Sequence, residues 1–277
     1  MNKKKLSDVK EFWESNPLWT GESNHEPGSK EFFEEHRKVY LDECFGGQWD
    51  QRFLPKTNDK QAPILDLGCG IGFWTVELGL KGFKQIISAD LTTAALKLTE
   101  RRCEIYNLQS NLFLENAEQL TFEDASFEHV NCQGVIHHTP DTQEAVKEIY
   151  RVLKPGGSAS ISVYYKNFFL RSWFIIRPIS IVLASIGAKL NGRGREKIFT
   201  EASIDEIVRL YDGSDNPIGK SYSKREFRAL LDDYFVVEEI YQHFFPARAL
   251  PFKLSKSLQR FMDKFFGFMI YASLIKK

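Results

Sequence analysis

The segment Ile64-Leu-Asp-Leu-Gly-Cys-Gly-Ile-Gly72 decides the fold of this chain. An apolar run passes into three glycines at alternate positions, and an apolar helical segment follows them. Glycines are needed where a backbone turns tightly and approaches a ligand without a Cβ in the way. A strand that continues through such a loop into a helix predicts a nucleotide-type cofactor over the N-terminus of the helix.

The spacing of the glycines argues against a dinucleotide cofactor. Dinucleotide loops follow the pattern GxGxxG, and Phe73 stands where the third glycine of that pattern would be. The pattern here is GxGxG, with Asp66 two positions before its first glycine. A carboxylate at this point suits a ligand with a positive ammonium or sulfonium group better than it suits a pyrophosphate.

Downstream of the loop, short apolar runs alternate with amphipathic segments. Strands are predicted over residues 62–67, 85–90, 111–115, 129–135 and 158–165. Helices are predicted over residues 73–80, 93–106 and 142–153, and two more precede the loop at 5–14 and 29–43. Asp141 marks the start of one helix, and Lys154-Pro-Gly-Gly157 marks a stop and a turn. This alternation predicts βαβ units and a parallel sheet with helices on both faces, whose ligands bind beyond the carboxyl ends of the strands.

The last part of the chain adds two strands to this pattern. After residue 165 the alternation stops, and it resumes with a capping box at Ser223 and strands over 235–245 and 269–275, on either side of a basic, aromatic segment. The prediction is an α/β fold with a Rossmann-like, seven-stranded, mostly parallel sheet and a helical cap inserted after strand five. It divides the chain into an N-terminal helical segment that closes over the active site (1–60), a core (61–165), the cap (166–222) and the last two strands (223–277).

Residues 168–190 form the most apolar stretch of the chain. Arg177 and Pro178 lie side by side near its centre, so it is a poor candidate for a membrane-spanning helix. A buried lid helix is the favoured interpretation, and attachment to a membrane surface is the alternative.

Composition narrows the classes of function. The 277 residues carry 37 basic and 37 acidic side chains, which gives no sign of a nucleic-acid partner. The four cysteines lack CxxC or metal-ligand spacing, so neither a disulfide framework nor a metal site is expected. With no signal-like apolar run near the N-terminus, a cytoplasmic location is expected. The 23 phenylalanines allow a site for an apolar small molecule, and oligomeric state is left open.

At this point the chain resembles the class I S-adenosylmethionine (SAM)-dependent methyltransferases, specifically the methyltransferase type 11 group. Five motifs carry the resemblance in the family's order and intervals, over roughly residues 60–165. They are Asp66-Leu-Gly-Cys-Gly-Ile-Gly72, Asp90, Asn116-Ala-Glu118, Val135-Ile-His-His138 and Leu153-Lys-Pro-Gly-Gly157. The resemblance implies SAM as the cofactor and in-line methyl transfer as the reaction.

The resemblance also assigns roles to residues. The loop glycines pass under the methionine part of SAM, Asp66 holds that end, and Asp90 accepts hydrogen bonds from the ribose hydroxyls. Many relatives have Asp where this chain has Asn116, and the Asn carbonyl oxygen can still accept a hydrogen bond. The implied cofactor-binding residues are Asp66, Gly68, Cys69, Gly70, Gly72, Asp90, Leu91, Asn116, Ala117, Glu118 and Gln133.

His137 and His138 are the candidate catalytic residues, because a general base assists transfer to a hydroxyl. The alternative is that one of them binds a loop or packs beside the cofactor, and His243 is a weaker candidate base. The expected acceptor is a small hydrophobic or amphipathic molecule, methylated on oxygen or carbon. Other readings are a membrane-associated methyltransferase of a lipid-linked or quinone intermediate, an NAD-type oxidoreductase, and a SAM-binding protein without catalysis.

Overall fold

The computed structural model describes residues 4–47, 49–192 and 195–277. Residues 1–3, Gln48 and two residues of the Gly/Arg-rich link at 191–195 lie outside this description. Within the described residues, eight strands form one sheet. They are β1 (Ile64–Leu67), β2 (Ile86–Asp90), β3 (Asn111–Leu114), β4 (Phe127–Gln133), β5 (Leu153–Tyr165), β6 (Ser221–Tyr222), β7 (Phe235–His243) and β8 (Met269–Lys276).

Seven of these strands follow the order β3-β2-β1-β4-β5-β8-β7. The first five are parallel, and β8 runs antiparallel to both of its neighbours. The predicted Rossmann-like, seven-stranded, mostly parallel sheet is therefore confirmed. The two-residue strand β6 was not predicted, and it pairs with the end of β5.

Ten α-helices accompany the sheet among the described residues. They are α1 (Leu6–Ser15), α2 (Lys30–Cys44), α3 (Phe73–Leu80), α4 (Thr93–Ile105), α5 (Thr142–Val152), α6 (Phe168–Arg171), α7 (Trp173–Ser185), α8 (Ile204–Asp212), α9 (Lys224–Leu231) and α10 (Lys256–Phe266). Local capping sets several starts. Asp141 accepts hydrogen bonds from the amides of Gln143 and Glu144, and Ser223 and Glu226 form the predicted capping box.

The main core lies between the sheet and the helices on one of its faces. Val146 and Ile149 on α5 and Phe227 on α9 are fully buried against Val130 and Ile161 of the central strands. Helix α5 buries one face because its apolar side chains recur every three or four residues.

The segment Lys154–Gly157 does not stop the chain as a turn between elements. It belongs to β5 as an irregular start, in which Leu153 pairs with Phe127 and Ser158 pairs with His129. Four residues on β5 therefore lie opposite one residue on β4, as in an extended bulge. Gly156, at φ +74°, provides the local reversal.

The basic, aromatic segment between β7 and β8 contains α10, a helix that was not predicted. Its start is marked by Ser255, whose hydroxyl accepts a hydrogen bond from the amide of Leu258, and Gly267 follows its last residue. These two capping positions are the sequence signals that could have located it.

The interpretation of residues 168–190 as a buried lid helix is wrong. Trp173 and Ser180 on α7 are buried, whereas Phe174, Ile175 and Ile179 are more than 60% exposed. The inner face of α7 packs on the short helical segment Arg195–Thr200, and no described element covers the outer face. Among the described residues, no helix has the length and apolarity to cross a membrane.

Candidate functional site

Two adjoining cavities open at the carboxyl ends of the parallel strands. The groove, with about 860 Å³ of open volume, is lined by Asp90, Leu91, Asn116 and Ala117 among others. The second space, which we call the inner cavity, has about 1180 Å³ of open volume and a wall rich in aromatic side chains. That wall includes Trp19, Tyr40, Phe73, Trp74, Tyr164 and Tyr211. Gly68, Gly70, Gln133 and His138 line both cavities, so the two spaces meet at the loop after β1.

The glycine loop is held by close packing at two positions. A Cβ on Gly68 would lie 2.2 Å from a methyl carbon of Val135, and one on Gly72 would lie 3.0 Å from Thr99. Gly68 thus lets the loops after β1 and β4 touch, and Gly72 lets α3 pack on α4. At Gly70 a Cβ would meet nothing closer than 4.0 Å, because this residue faces the open space of both cavities.

Asp66 lies beneath this loop and does not line either cavity. One carboxylate oxygen accepts a hydrogen bond from the hydroxyl of Thr75 at 2.6 Å, and the other accepts one from the amide of Asn131 at 2.8 Å. Burial raises the pKa of Asp66 to about 6. In this geometry the carboxylate ties β1 to α3 and β4, which differs from the expected contact with the cofactor.

Asp90 ends β2 on the wall of the groove. Its carboxylate accepts hydrogen bonds from the amide of Gly70 at 3.0 Å and from the amide and hydroxyl of Thr92 at 3.0 and 2.9 Å. Burial raises the pKa of Asp90, although these hydrogen bonds oppose that shift. The same side chain therefore fixes the glycine loop and presents its remaining acceptor capacity to the groove.

Residues that follow β2 and β3 also line the groove. Leu91, Asn116 and Ala117 line it, and the Asn116 side-chain oxygen accepts a hydrogen bond from the amide of Glu118. The Glu118 side chain lies outside the groove, where it accepts a hydrogen bond from the amide of Asp141. The carboxylate thereby supports the start of α5 and does not line the groove in which Glu118 was expected to bind the cofactor.

Gln133 stands where the groove and the inner cavity meet. Its amide nitrogen donates hydrogen bonds to the side chains of Asn131 and Ser160 and to the Ser160 carbonyl, at 2.7–3.0 Å. The amide oxygen is buried and has no hydrogen-bond partner in the part of the chain that the structure describes. A buried acceptor without a partner is costly, so this atom marks a position for a donor or a positive group.

His137 and His138 follow β4 and are both buried, but their environments differ. Nδ1 of His138 lies 2.6 Å from the carbonyl of Ile218, and Nε2 lies 3.4 Å from the carboxylate of Asp212. The His137 ring packs against Tyr164 with ring centres 4.3 Å apart and planes inclined by 46°, and its Nδ1 has no hydrogen-bond partner among the described residues. Burial lowers the pKa of His137 well below its usual value, so this ring is neutral at pH 7. Cys69 also lines the inner cavity, with its thiol 3.5 Å from the Thr99 hydroxyl.

Charged residues that were not singled out from the sequence form one end of the inner cavity. Arg195 pairs with Glu22 at 2.9 Å, and Arg248 pairs with Glu22 at 2.9 Å and with Glu43 at 3.0 Å. The Arg195 guanidinium lies 4.0 Å from the centre of the Tyr211 ring. Burial raises the pKa of Glu43, although Arg248 opposes that shift. This network joins the cap, the N-terminal segment and the chain after β7.

The N-terminal segment covers the mouth of both cavities. Leu6 and Val9 on α1 line the groove, and Trp13 lines both spaces with its ring 5.3 Å from that of His138. Glu14 accepts hydrogen bonds from the amides of Thr93 and Ala94, which are free donors at the start of α4. The helix is thereby fixed over the groove.

The sheet order, the glycine loop and the acidic residue at the end of β2 together define a Rossmann-like cofactor-binding class of protein. Comparison with known families specifies it: residues 65–161 match the model of the methyltransferase domain. The chain therefore contains the methyltransferase domain of the class I SAM-dependent methyltransferases, whose cofactor is SAM.

Curated relatives agree with this assignment. Over 99 residues the chain is 36% identical to a demethylmenaquinone methyltransferase of Lactiplantibacillus plantarum, and this match covers 34% of this chain and 42% of that protein. Over 105 residues it is 28% identical to a ubiquinone biosynthesis O-methyltransferase of Coxiella burnetii, and this match covers 38% of this chain and 44% of that protein. The matched stretch thus spans less than half the length of either relative.

A crystal structure of a protein from Pyrococcus horikoshii shares the fold over nearly the whole chain. Its TM-score is 0.53 at 16% identity, and the superposition covers 97% of this chain and 99% of the other. The similarity therefore includes the segments outside the methyltransferase domain.

The residues of the site fit SAM. The groove carries Asp90 and Glu115, the inner end of the groove presents the unpaired Gln133 oxygen, and Gly70 leaves its Cβ position open. These are acceptors and space for a ligand with hydroxyl groups and positive charge. In this arrangement Asp90, Leu91, Asn116 and Ala117 would hold the nucleoside, and Gly68, Gly70 and Gln133 would hold the methionine end.

Proposed function

We propose that this protein transfers a methyl group from SAM to a small hydrophobic or amphipathic acceptor bound in the inner cavity. The observation that carries the proposal is the junction at Gln133, where a groove suited to a nucleoside opens into a separate cavity. When bound, SAM supplies a methyl group on a sulfonium, which is already a strong electrophile. The protein then contributes mainly by positioning the acceptor and excluding water.

The wall of the inner cavity supports an aromatic or otherwise apolar acceptor. Tyr40 packs on Phe73 with ring centres 4.1 Å apart, and Trp74 lies edge-on to both Phe45 and Phe73. Such walls favour flat apolar molecules, with polar groups at one end to fix orientation. Two curated relatives are named for menaquinone and ubiquinone biosynthesis, and a quinone-like ring is the acceptor class that we infer on this basis.

The two histidines have different proposed roles. We assign to His137 the proton that a hydroxyl acceptor loses during transfer, because its ring lines the inner cavity and its Nδ1 has no hydrogen-bond partner among the described residues. His138 has the Ile218 carbonyl and the Asp212 carboxylate on its two nitrogens, so it acts as a positioning residue. Its ring also holds Trp13 over the junction.

Calorimetric titration tests the cofactor assignment first. The protein should bind SAM, with no binding of NAD, and the reverse result would refute the proposal. Labelled SAM should then label hydroxylated quinol-like acceptors, and acceptors with only aliphatic amines should remain unlabelled.

A matched pair of variants tests the proton acceptor. His137→Asn should lower kcat on a hydroxyl acceptor by about a hundredfold, with the Kd for SAM changed less than twofold. His138→Asn should mainly raise the KM of the acceptor. Full activity of His137→Asn across pH 6–9 would exclude the ring as the base.

A further inference from the structure

The outer face of the cap is an apolar surface without a partner among the described residues. On α7 the side chains of Ile175, Ile179 and Val182 recur at helical spacing and are 62–63% exposed, and Phe174 is 77% exposed. A helix that is apolar on its solvent side needs a nonpolar environment on that side.

The surface continues from the cap onto α10. Phe168 and Phe169 lie 6.2 and 5.1 Å from Phe266 between ring centres, and Phe261 packs on Phe265 at 4.9 Å. Phe261 and Phe265 are about half exposed. We call this combined surface, made of the outer faces of α6, α7 and α10, the cap face.

Basic residues accompany the cap face, although the whole chain is electrically neutral. Residues 166–195 contain six Lys and Arg and no Asp or Glu. Two of the six, Lys166 and Arg195, pair with Glu226 and Glu22. Arg171 and Lys189, together with Arg260 on α10, are exposed and have no ion-pair partner in the described part of the chain. Apolar side chains flanked by unpaired cations are complementary to an anionic lipid surface. The apolar side chains can contact the acyl chains, and the cations can contact the anionic headgroups.

From these observations we propose that the protein docks on anionic membranes through the cap face, lying on the bilayer without crossing it. The apolar side chains of α7 enter the boundary between headgroups and acyl chains, and the basic side chains contact lipid phosphates. The charge pattern favours this partner over a second copy of the chain, since two identical basic faces repel each other.

The docked face lies directly behind the inner cavity. Leu170 and Trp173 on the inner side of α6 and α7 pack in one buried cluster with Tyr164, Tyr211 and Phe268. Tyr164 and Tyr211 line the inner cavity. Docking therefore places the cavity wall one layer of side chains from the lipid, which suits a lipid-soluble acceptor but does not depend on the proposed reaction.

Vesicle co-sedimentation of the full chain tests the proposal without SAM or an acceptor. The protein should bind vesicles of phosphatidylcholine with 30–40% phosphatidylglycerol, an anionic fraction of roughly the size that attracts polybasic segments. Binding to pure phosphatidylcholine should be at least about tenfold weaker, and 0.5 M salt should weaken binding to the anionic vesicles about severalfold. Equal binding to both vesicle types, or no binding to either, would overturn the proposal.

Two triple variants identify the face. Ile175→Ser with Ile179→Ser and Val182→Ser should reduce binding to the anionic vesicles at least about tenfold. The matched control, Leu80→Ser with Leu114→Ser and Val236→Ser, removes side chains of 51–52% exposure from α3, β3 and β7 and should bind like the wild type. Circular dichroism should show both variants folded. The proposal is wrong if the cap variant binds vesicles normally. It is also wrong if the wild type binds no vesicles but forms a dimer that the cap variant dissociates.

Discussion

The groove beside Asp90 and the inner cavity beside Arg195 differ in how they are built. The groove is fixed by short-range contacts, such as the hydrogen bond from the Gly70 amide to Asp90, 20 residues away in the chain. The inner cavity is closed by ion pairs between distant segments, with Arg195 and Glu22 separated by 173 residues and Arg248 and Glu43 by 205. Parallel strand ends bring the first set together automatically, whereas the second set depends on how cap, N-terminal segment and C-terminal segment pack on one another.

This difference predicts that substitutions at the closely packed glycines of the groove lower the stability of the fold most. Gly68→Ala should lower the free energy of unfolding by about 3 kcal/mol, because the new Cβ would overlap the Val135 side chain and φ is +69°. Urea denaturation measures the loss.

Gly70→Ala is the matched control for that change. It also has a positive φ, but its Cβ would meet nothing closer than 4.0 Å, so a loss of only about 1 kcal/mol is expected. Equal losses in the two variants would show that conformational strain alone, and not contact between the two loops, sets the cost at Gly68.

Asp90→Asn tests the groove at the level of binding. The variant loses the charged acceptor for the ribose hydroxyls. The binding free energy of SAM should therefore weaken by about 2 kcal/mol, which raises the Kd roughly thirtyfold. Isothermal titration calorimetry measures the change. Asp212→Asn serves as the control on the cavity side and should leave the Kd for SAM within about twofold, and an unchanged Kd in Asp90→Asn would remove Asp90 from the site.

The groove was largely predictable from sequence for the same reason that it is locally built. Helix α3 coincides with its predicted residues 73–80, and the first four strands agree with their predictions within two residues at each end. The glycine spacing and the acidic residue at the end of β2 are patterns within a short stretch of chain. Even there, the sequence did not predict that the Asp66 carboxylate accepts hydrogen bonds from Thr75 and Asn131. Nor did it predict that the Glu118 carboxylate accepts one from the amide of Asp141.

The inner cavity and the cap were less predictable because their determinants are long-range. Nothing near Arg195 or Arg248 in the sequence indicates pairing with Glu22 and Glu43. The apolar character of α7 was evident, but apolarity alone does not distinguish a buried helix from one that faces a membrane. Only the packing of one face on Arg195–Thr200 shows which side remains exposed.

The contact of His243 with two carboxylates gives the third prediction. His243 on β7 lies 2.6 Å from Asp263 on α10 and 2.9 Å from Asp50 before β1, and these carboxylates raise its pKa although burial opposes them. A histidine with a raised pKa stabilises the fold below its unfolded pKa of about 6.5, and this contribution is lost as pH rises through the folded pKa. Between pH 6 and 9 the wild type should therefore lose stability relative to His243→Gln, as measured by urea denaturation across this pH range.

The comparison with His243→Gln is needed because other histidines act in the opposite direction. Burial lowers the pKa values of His36, His129 and His137, so their contribution to stability falls as pH drops below about 6.5. These residues are common to both proteins and cancel in the difference. Parallel pH profiles of stability would mean that His243 does not join the three segments through its charge.

The smallest expected effect distinguishes the two sides of the cap. Phe174→Ser should change the free energy of unfolding by less than about 0.5 kcal/mol, because this side chain contacts water in the isolated protein. The neighbouring Trp173→Ala should cost about 3 kcal/mol or more, because Trp173 is buried among Tyr211 and Phe268 and donates a hydrogen bond to the Glu201 carbonyl. Thermal denaturation of both variants measures the contrast. A large loss from Phe174→Ser would mean that the outer face of α7 is covered in solution, and the cap would then resemble the locally packed groove rather than an open surface.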